Sequence, residues 1–132
     1  MSVTPYLTHA LLPAGTDLTG LGARVARHAG AEASPRPGDR AGEVAFGGYR
    51  FFIALDDGSG QSSELAGLRD VILTVATDDE RGQTFGAVLT LGGLSRDPDL
   101  DHFNDAVLLM EAVGALCPGA VLFDPQSGER VP

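Results

Sequence analysis

The stretch EVAFGGYRFFIAL, residues 43–55, constrains the fold more than any other part of the chain. Two apolar runs meet at Gly47-Gly48. A two-residue link between strands needs positive φ, which glycine adopts without steric penalty. The stretch therefore predicts a β-hairpin, with Val44 and Phe46 leading in. On the return strand Tyr49, Phe51, Ile53 and Leu55 share one face, and Phe52 and Ala54 share the other. Apolar residues on both faces predict a sheet that is covered on both sides, or used at an interface.

The rest of the chain reads as elements around that hairpin. Residues 3–12 predict a first strand, with Leu7, His9 and Leu11 on one face and Tyr6, Thr8 and Ala10 on the other. Thr16 or Asp17 caps a helix in which Leu18, Leu21 and Val25 recur, and Gly30 ends it. Residues 30–41 hold several Gly and Pro and little apolar content, so they read as a mobile loop. VILTVAT, residues 71–77, is β-branched and apolar and predicts a central strand. DDERGQ then turns into the alternating strand 84–91, a second hairpin. A helix follows from about Pro98 to Leu116, with Asp97 as N-cap and Asp99 and Asp101 in its first turn. Leu100, Phe103, Val107, Met110 and Val113 make its inward stripe, which Leu108, Leu109 and Leu116 widen. Pro118-Gly119 stops it, AVLFD is a last strand, and DPQSGERVP is a turn or tail. The order is β-α-ββ-ββ-α-β. This predicts an α+β class, with two helices on one face of a mostly antiparallel sheet in a ferredoxin-like, split β-α-β variant. Its 132 residues and 13.6 kDa suit one domain over 1–132.

Composition narrows the function. The chain has no lysine, and its nine cations are all arginine, which removes Schiff-base chemistry and the lysine of a phosphate-binding P-loop. Its one cysteine, Cys117, excludes an intrachain disulfide and a Cys-rich zinc site; after an apolar helical run it reads as a buried, inert thiol. A net charge of −9 disfavours nucleic acid and anionic membranes as partners. No apolar run reaches the roughly 20 residues that span a bilayer, and the N-terminus lacks a basic n-region. A cytoplasmic location is the expectation. The charge is uneven: residues 97–132 carry one arginine against seven acids, making that end the acidic pole.

Three places offer candidate sites. DPDLDHFND, residues 97–105, spaces Asp97, Asp99 and Asp101 as a calcium loop begins. His102 stands where such a loop needs glycine and Leu108 where it needs glutamate, so helix capping is the expected role and no metal is assigned. Asp99, Asp101, Asp105 and Glu111 form instead a candidate docking face for a partner with a basic surface. Among His9, His28 and His102 no zinc spacing occurs. His9 lies between Leu7 and Leu11 and needs a hydrogen-bond partner if buried; it is the weak candidate for a catalytic base. The loop DDGSGQSSE, residues 56–64, offers an anion-binding nest. The closing GAVLFDPQSGE resembles the end of various small bacterial domains and of some toxin-immunity proteins, but Asp-Pro and Ser-Gly are general turn formers and assign no family.

The reading is a non-catalytic, acidic protein-binding module of adaptor or toxin-neutralising type, in a soluble bacterial-like protein. It is without a cofactor and binds through Asp99, Asp101, Asp105, Glu111 and Phe52. A homodimer sharing the Phe52 and Val88 face is a further expectation. The alternative is a small-ligand domain or small enzyme, with its site near His9 and the 56–64 loop.

Overall fold

The computed structural model describes residues 4–33, 41–61 and 63–131. The elements are β1 (Thr8–Pro13), α1 (Leu21–Ala29), β2 (Glu32–Ala33), β3 (Ala41–Phe46) and β4 (Tyr49–Asp56). There follow α2 (Leu65–Ile72), continued by a 3-10 turn over Leu73–Val75, then α3 (Asp78–Arg81), β5 (Phe85–Gly93), α4 (Phe103–Leu116), β6 (Val121–Asp124) and β7 (Glu129–Arg130). The class is α+β. The strands form one sheet in the order β2-β3-β4-β5-β1-β6-β7, and every pairing is antiparallel.

The hairpin forms where expected. Phe46 pairs with Tyr49 across Gly47-Gly48, and Gly47 takes φ +60. β5 and β6 both run against β1, which lies between them. They are therefore parallel to each other, and α4 joins them as a split β-α-β unit. β2 and β3 extend the sheet on one side of the four strands β4-β5-β1-β6, and β7 on the other.

Alternation along the strands sorts the core into two layers. On one face Ala10, Leu12, Phe51, Ile53, Leu89 and Leu91 meet Val25 and Ala26 of α1 and Leu109 and Val113 of α4. These are the two helices expected on one face. Cys117 is fully buried in this layer, and burial pushes its thiol up. On the other face Leu11, Val121 and Phe123 meet Ile72, with Leu65 and Leu68 packed beside them.

Five expectations need correction. Residues 71–77 are helix and 3-10 turn, not a central strand. The apolar run begins earlier than VILTVAT, at Leu65, and Leu65, Leu68 and Ile72 recur at helical spacing against the second face of the sheet. The first strand begins at Thr8, because Tyr6 turns the backbone at φ +59. α1 begins at Leu21 with Gly20 as N-cap, so neither Thr16 nor Asp17 caps it. α4 begins at Phe103, because Leu100 takes φ +56 and breaks the turn after Pro98. Val88, named with Phe52 as part of a face for a homodimer, is only 1% exposed within this chain and so cannot present its side chain to a second copy. The loop expected over 30–41 falls mostly outside the described residues; within it Ala33 pairs with Val44.

Candidate functional site: an apolar groove beside α4

The sequence of α4 is apolar almost all round, and the fold uses only part of it. Ala106, Leu109, Ala112 and Val113 are buried. A neighbouring stripe, Phe103, Val107, Met110 and Gly114, lines an open groove of about 940 Å³. Its floor is Ala120 and Leu122 at β6, and its far wall is Pro5–Thr8 with Gln126 and Val131. α1 flanks α4 on one side. Leu100 and Phe103 stand at the mouth, 59% and 54% exposed. Large side chains so exposed at a concave apolar surface mark an interaction site better than scattered surface leucines do.

The groove's walls are held under strain. Tyr6 and Leu100 are the two non-glycine residues with positive φ among the described residues, and both line it. Such a backbone costs of order 1–3 kcal/mol per residue and persists only where surrounding bonds over-determine it. Here one carboxylate does so. Asp97 accepts the Tyr6 hydroxyl at 2.6 Å and the amides of His102 at 2.9 Å and Asp101 at 3.2 Å. The Tyr6 hydroxyl and these amides hold the Asp97 carboxyl below its ordinary range. Burial, and then Asp97, push the Tyr6 phenol up. Behind this latch His102 Nδ1 lies 2.9 Å from an Asp105 oxygen. The His102 ring stacks on Tyr49, centroids 4.2 Å apart and planes 14° apart. Tyr49 in turn donates its hydroxyl to the Ser95 carbonyl at 2.7 Å. The histidine thus braces the turn that leads into α4.

The residues singled out in the sequence divide between two faces. Glu111 lines the groove, and Asp99 and Asp101 are exposed on either side of Leu100 at its mouth. Asp105 is half-buried against His102. The expected capping is not found: the N-cap of α4 is His102 with no side-chain cap bond, and Asp97 instead accepts the Asp101 and His102 amides in the turn ahead of the helix. Phe52 lies on the opposite face of the sheet, where its ring covers Gly92; a Cβ there would come within 2.8 Å of it. Phe52 and the acidic residues are not brought together.

His9 also lies on that opposite face. Its Nδ1 is 2.8 Å from the Thr90 hydroxyl, and burial lowers its pKa against the pull of Glu64. The hydrogen-bond partner that a part-buried histidine needs is therefore Thr90. Within the 56–64 loop one carboxylate gathers backbone amides and a hydroxyl. Asp56 accepts the amides of Gly58 and Glu64 and the Ser63 hydroxyl. Burial raises the Asp56 pKa, but these bonds outweigh it and hold the carboxyl low. Among the described residues no three His, Cys, Asp or Glu side chains converge to hold a metal. No described helix is long and apolar enough to cross a membrane.

Sequence reading set Leu100, Phe103, Val107 and Met110 in the inward stripe of α4, where the structure buries Ala106, Leu109, Ala112 and Val113 and leaves the first four along the groove. It also missed Leu7, Gly114, Leu122 and Val131 as groove residues. One signal was available. The 103-107-110-114 stripe and the 106-109-113 stripe of α4 are each complete, and one helix needs a single stripe to join a core. Comparison with known protein families, with curated proteins and with solved structures gives no match. What the groove can do chemically is bind: apolar walls, a few polar groups at the ends, and acidic residues at the rim.

Proposed function

We propose that this protein is a non-catalytic, cytoplasmic docking module that takes a protein partner carrying an apolar segment with basic flanks. One observation carries the reading: the open groove beside α4, with Leu100 and Phe103 exposed at its mouth. The charge supports the same partner. Glu111 lines the groove and the exposed Asp99 and Asp101 adjoin Leu100, in the part of the chain with one arginine against seven acids. Such a field speeds association with a basic surface and rejects acidic ones, while the apolar contacts set affinity.

The test is co-purification from a lysate of the native cells, with wild type beside Phe103→Glu and the double charge reversal of Asp99 and Asp101 to arginine. Phe103 is exposed, so its variant keeps the fold. The expected result is a stoichiometric partner held at low salt, weakened as salt rises, and lost from Phe103→Glu. The charge reversal should slow its association and flatten the salt dependence. A partner retained equally by Phe103→Glu would contradict the groove as the docking site.

A further inference from the structure

The groove also specifies the form of its occupant. We propose that it seats a cationic amphipathic helix, with one bulky apolar side chain in the notch over Gly114 and basic side chains against Glu111 and Asp124. This rests on the docking reading above. Phe103, Val107, Met110 and Gly114 recur at spacings of four, three and four. That is the seam into which a second helix packs, and its twelve residues span about 17 Å, or three turns. An extended strand fits less well. β6 at the groove floor pairs with β1 on one edge and with β7 on the other, and β7, which ends the sheet there, is only two residues long, too short an edge to hold a strand along the groove. A helix brings its backbone hydrogen bonds with it and needs none from apolar walls.

Gly114 is the second part of the argument. Glycine weakens a helix interior relative to alanine. A Cβ at Gly114 would meet nothing within 4 Å, so no neighbour in this chain requires its absence. Gly114 is itself exposed and lines the groove, so its missing Cβ leaves an open gap in the apolar stripe that a large side chain can enter.

Charge selects among occupants. The charged side chains lining the groove are Glu111, Asp124 and Arg130, and Arg130 is held by Glu80 in a two-pronged pair, one prong at 2.6 Å. The remaining field is acidic. It opposes the head group of a fatty acid, and it opposes a second copy of a chain with charge −9. It suits arginine and lysine.

The probe is a fluorescent 14-residue peptide, leucine along one helical face and arginine elsewhere, followed by anisotropy. A scrambled peptide of the same composition, a version with glutamate for arginine, and a fluorescent fatty acid run beside it. The proteins are wild type, Gly114→Ala, Gly114→Leu and Phe103→Glu, each checked for its melting temperature. Saturable binding of the ordered cationic peptide is expected, at least tenfold tighter than either peptide control. Gly114→Leu, which fills the notch, should weaken it at least tenfold, and Gly114→Ala by much less. Equal binding to Gly114→Leu would overturn the seating over Gly114. Equal binding of the scrambled or acidic peptide would overturn the helical or cationic assignment. A fatty acid that binds where the peptide does not, and is lost from Gly114→Leu, would replace the helix with an acyl ligand. If Phe103→Glu loses the native partner while no peptide binds wild type, the helix proposal alone falls. If Phe103→Glu keeps the partner, the docking reading falls with it.

Discussion

Two helical or strand glycines have opposite meanings, and the difference lies in what surrounds each missing Cβ. At Gly93 a Cβ would sit 2.1 Å from the Tyr49 hydroxyl oxygen and 3.0 Å from Pro5. Tyr49 is buried between Phe51 and the stacked His102, so it has little room to yield. Gly93→Ala should therefore destabilise by about 1–3 kcal/mol, measured by denaturant unfolding. At Gly114 nothing is met, and Gly114→Ala should stabilise by about 0.5–1 kcal/mol through helix propensity alone. A destabilising Gly114→Ala would mean that the space above it is already filled. His9 gives a further residue-scale outcome. Its imidazole should titrate below its ordinary value of 6.5, as followed by NMR, because burial disfavours the cation. The folded state then loses stability as pH falls below 6.5, since the unfolded chain takes the proton first. That His9 needs a partner was legible from its place between two leucines; that the partner is Thr90 was not, because strand register is a tertiary fact.

At the scale of elements, α4 and α2 teach the same lesson from opposite sides. VILTVAT looks like a strand by composition, yet Leu65, Leu68 and Ile72 set a helical period that starts six residues upstream, and the second sheet face needed a cover. In α4 the sequence offers two apolar stripes, and only packing against α1 and the sheet decides that Leu109 and Val113 go inward. Leu109→Ala should cost about 2–5 kcal/mol. Phe103→Ser should change stability by no more than about 0.5 kcal/mol, as an exposed substitution does. Equal costs at the two sites would place Phe103 in the core. The C-terminal hairpin adds a pH dependence. Arg130 of β7 grips Glu80 of α3, which also closes a capping box with Thr77. These bonds, Arg130's first, bring the Glu80 carboxyl down from 4.5 to about 2. A depressed carboxyl stabilises the fold fully above about pH 4.5, and that contribution is lost as pH falls towards 2. Melting temperatures at pH 6 and pH 3 should accordingly differ less in Glu80→Gln than in wild type. The grip was not legible in the sequence, since 50 residues separate its partners.

For the molecule as a whole, the class, the two helices on one face and the acidic pole could be read directly, because each depends on local periodicity or on counting charges. The groove could not. It arises where α4 crosses β6 and the segment before β1 turns at Tyr6, three regions far apart in the chain. The candidate residues accordingly fall on two faces: Glu111 lines the groove and Asp99 and Asp101 adjoin Leu100, while Phe52 covers Gly92 on the other face. The central claim is that partners dock in the groove beside α4. Its most direct test is an amide chemical-shift map of the labelled protein during titration with the cationic amphipathic peptide. Shifts concentrated over residues 5–8, 100–114 and 120–131, with His9, Phe52 and the 56–64 loop unmoved, are the predicted result. Shifts centred on His9 and Phe52, or spread evenly over the acidic surface, would contradict it.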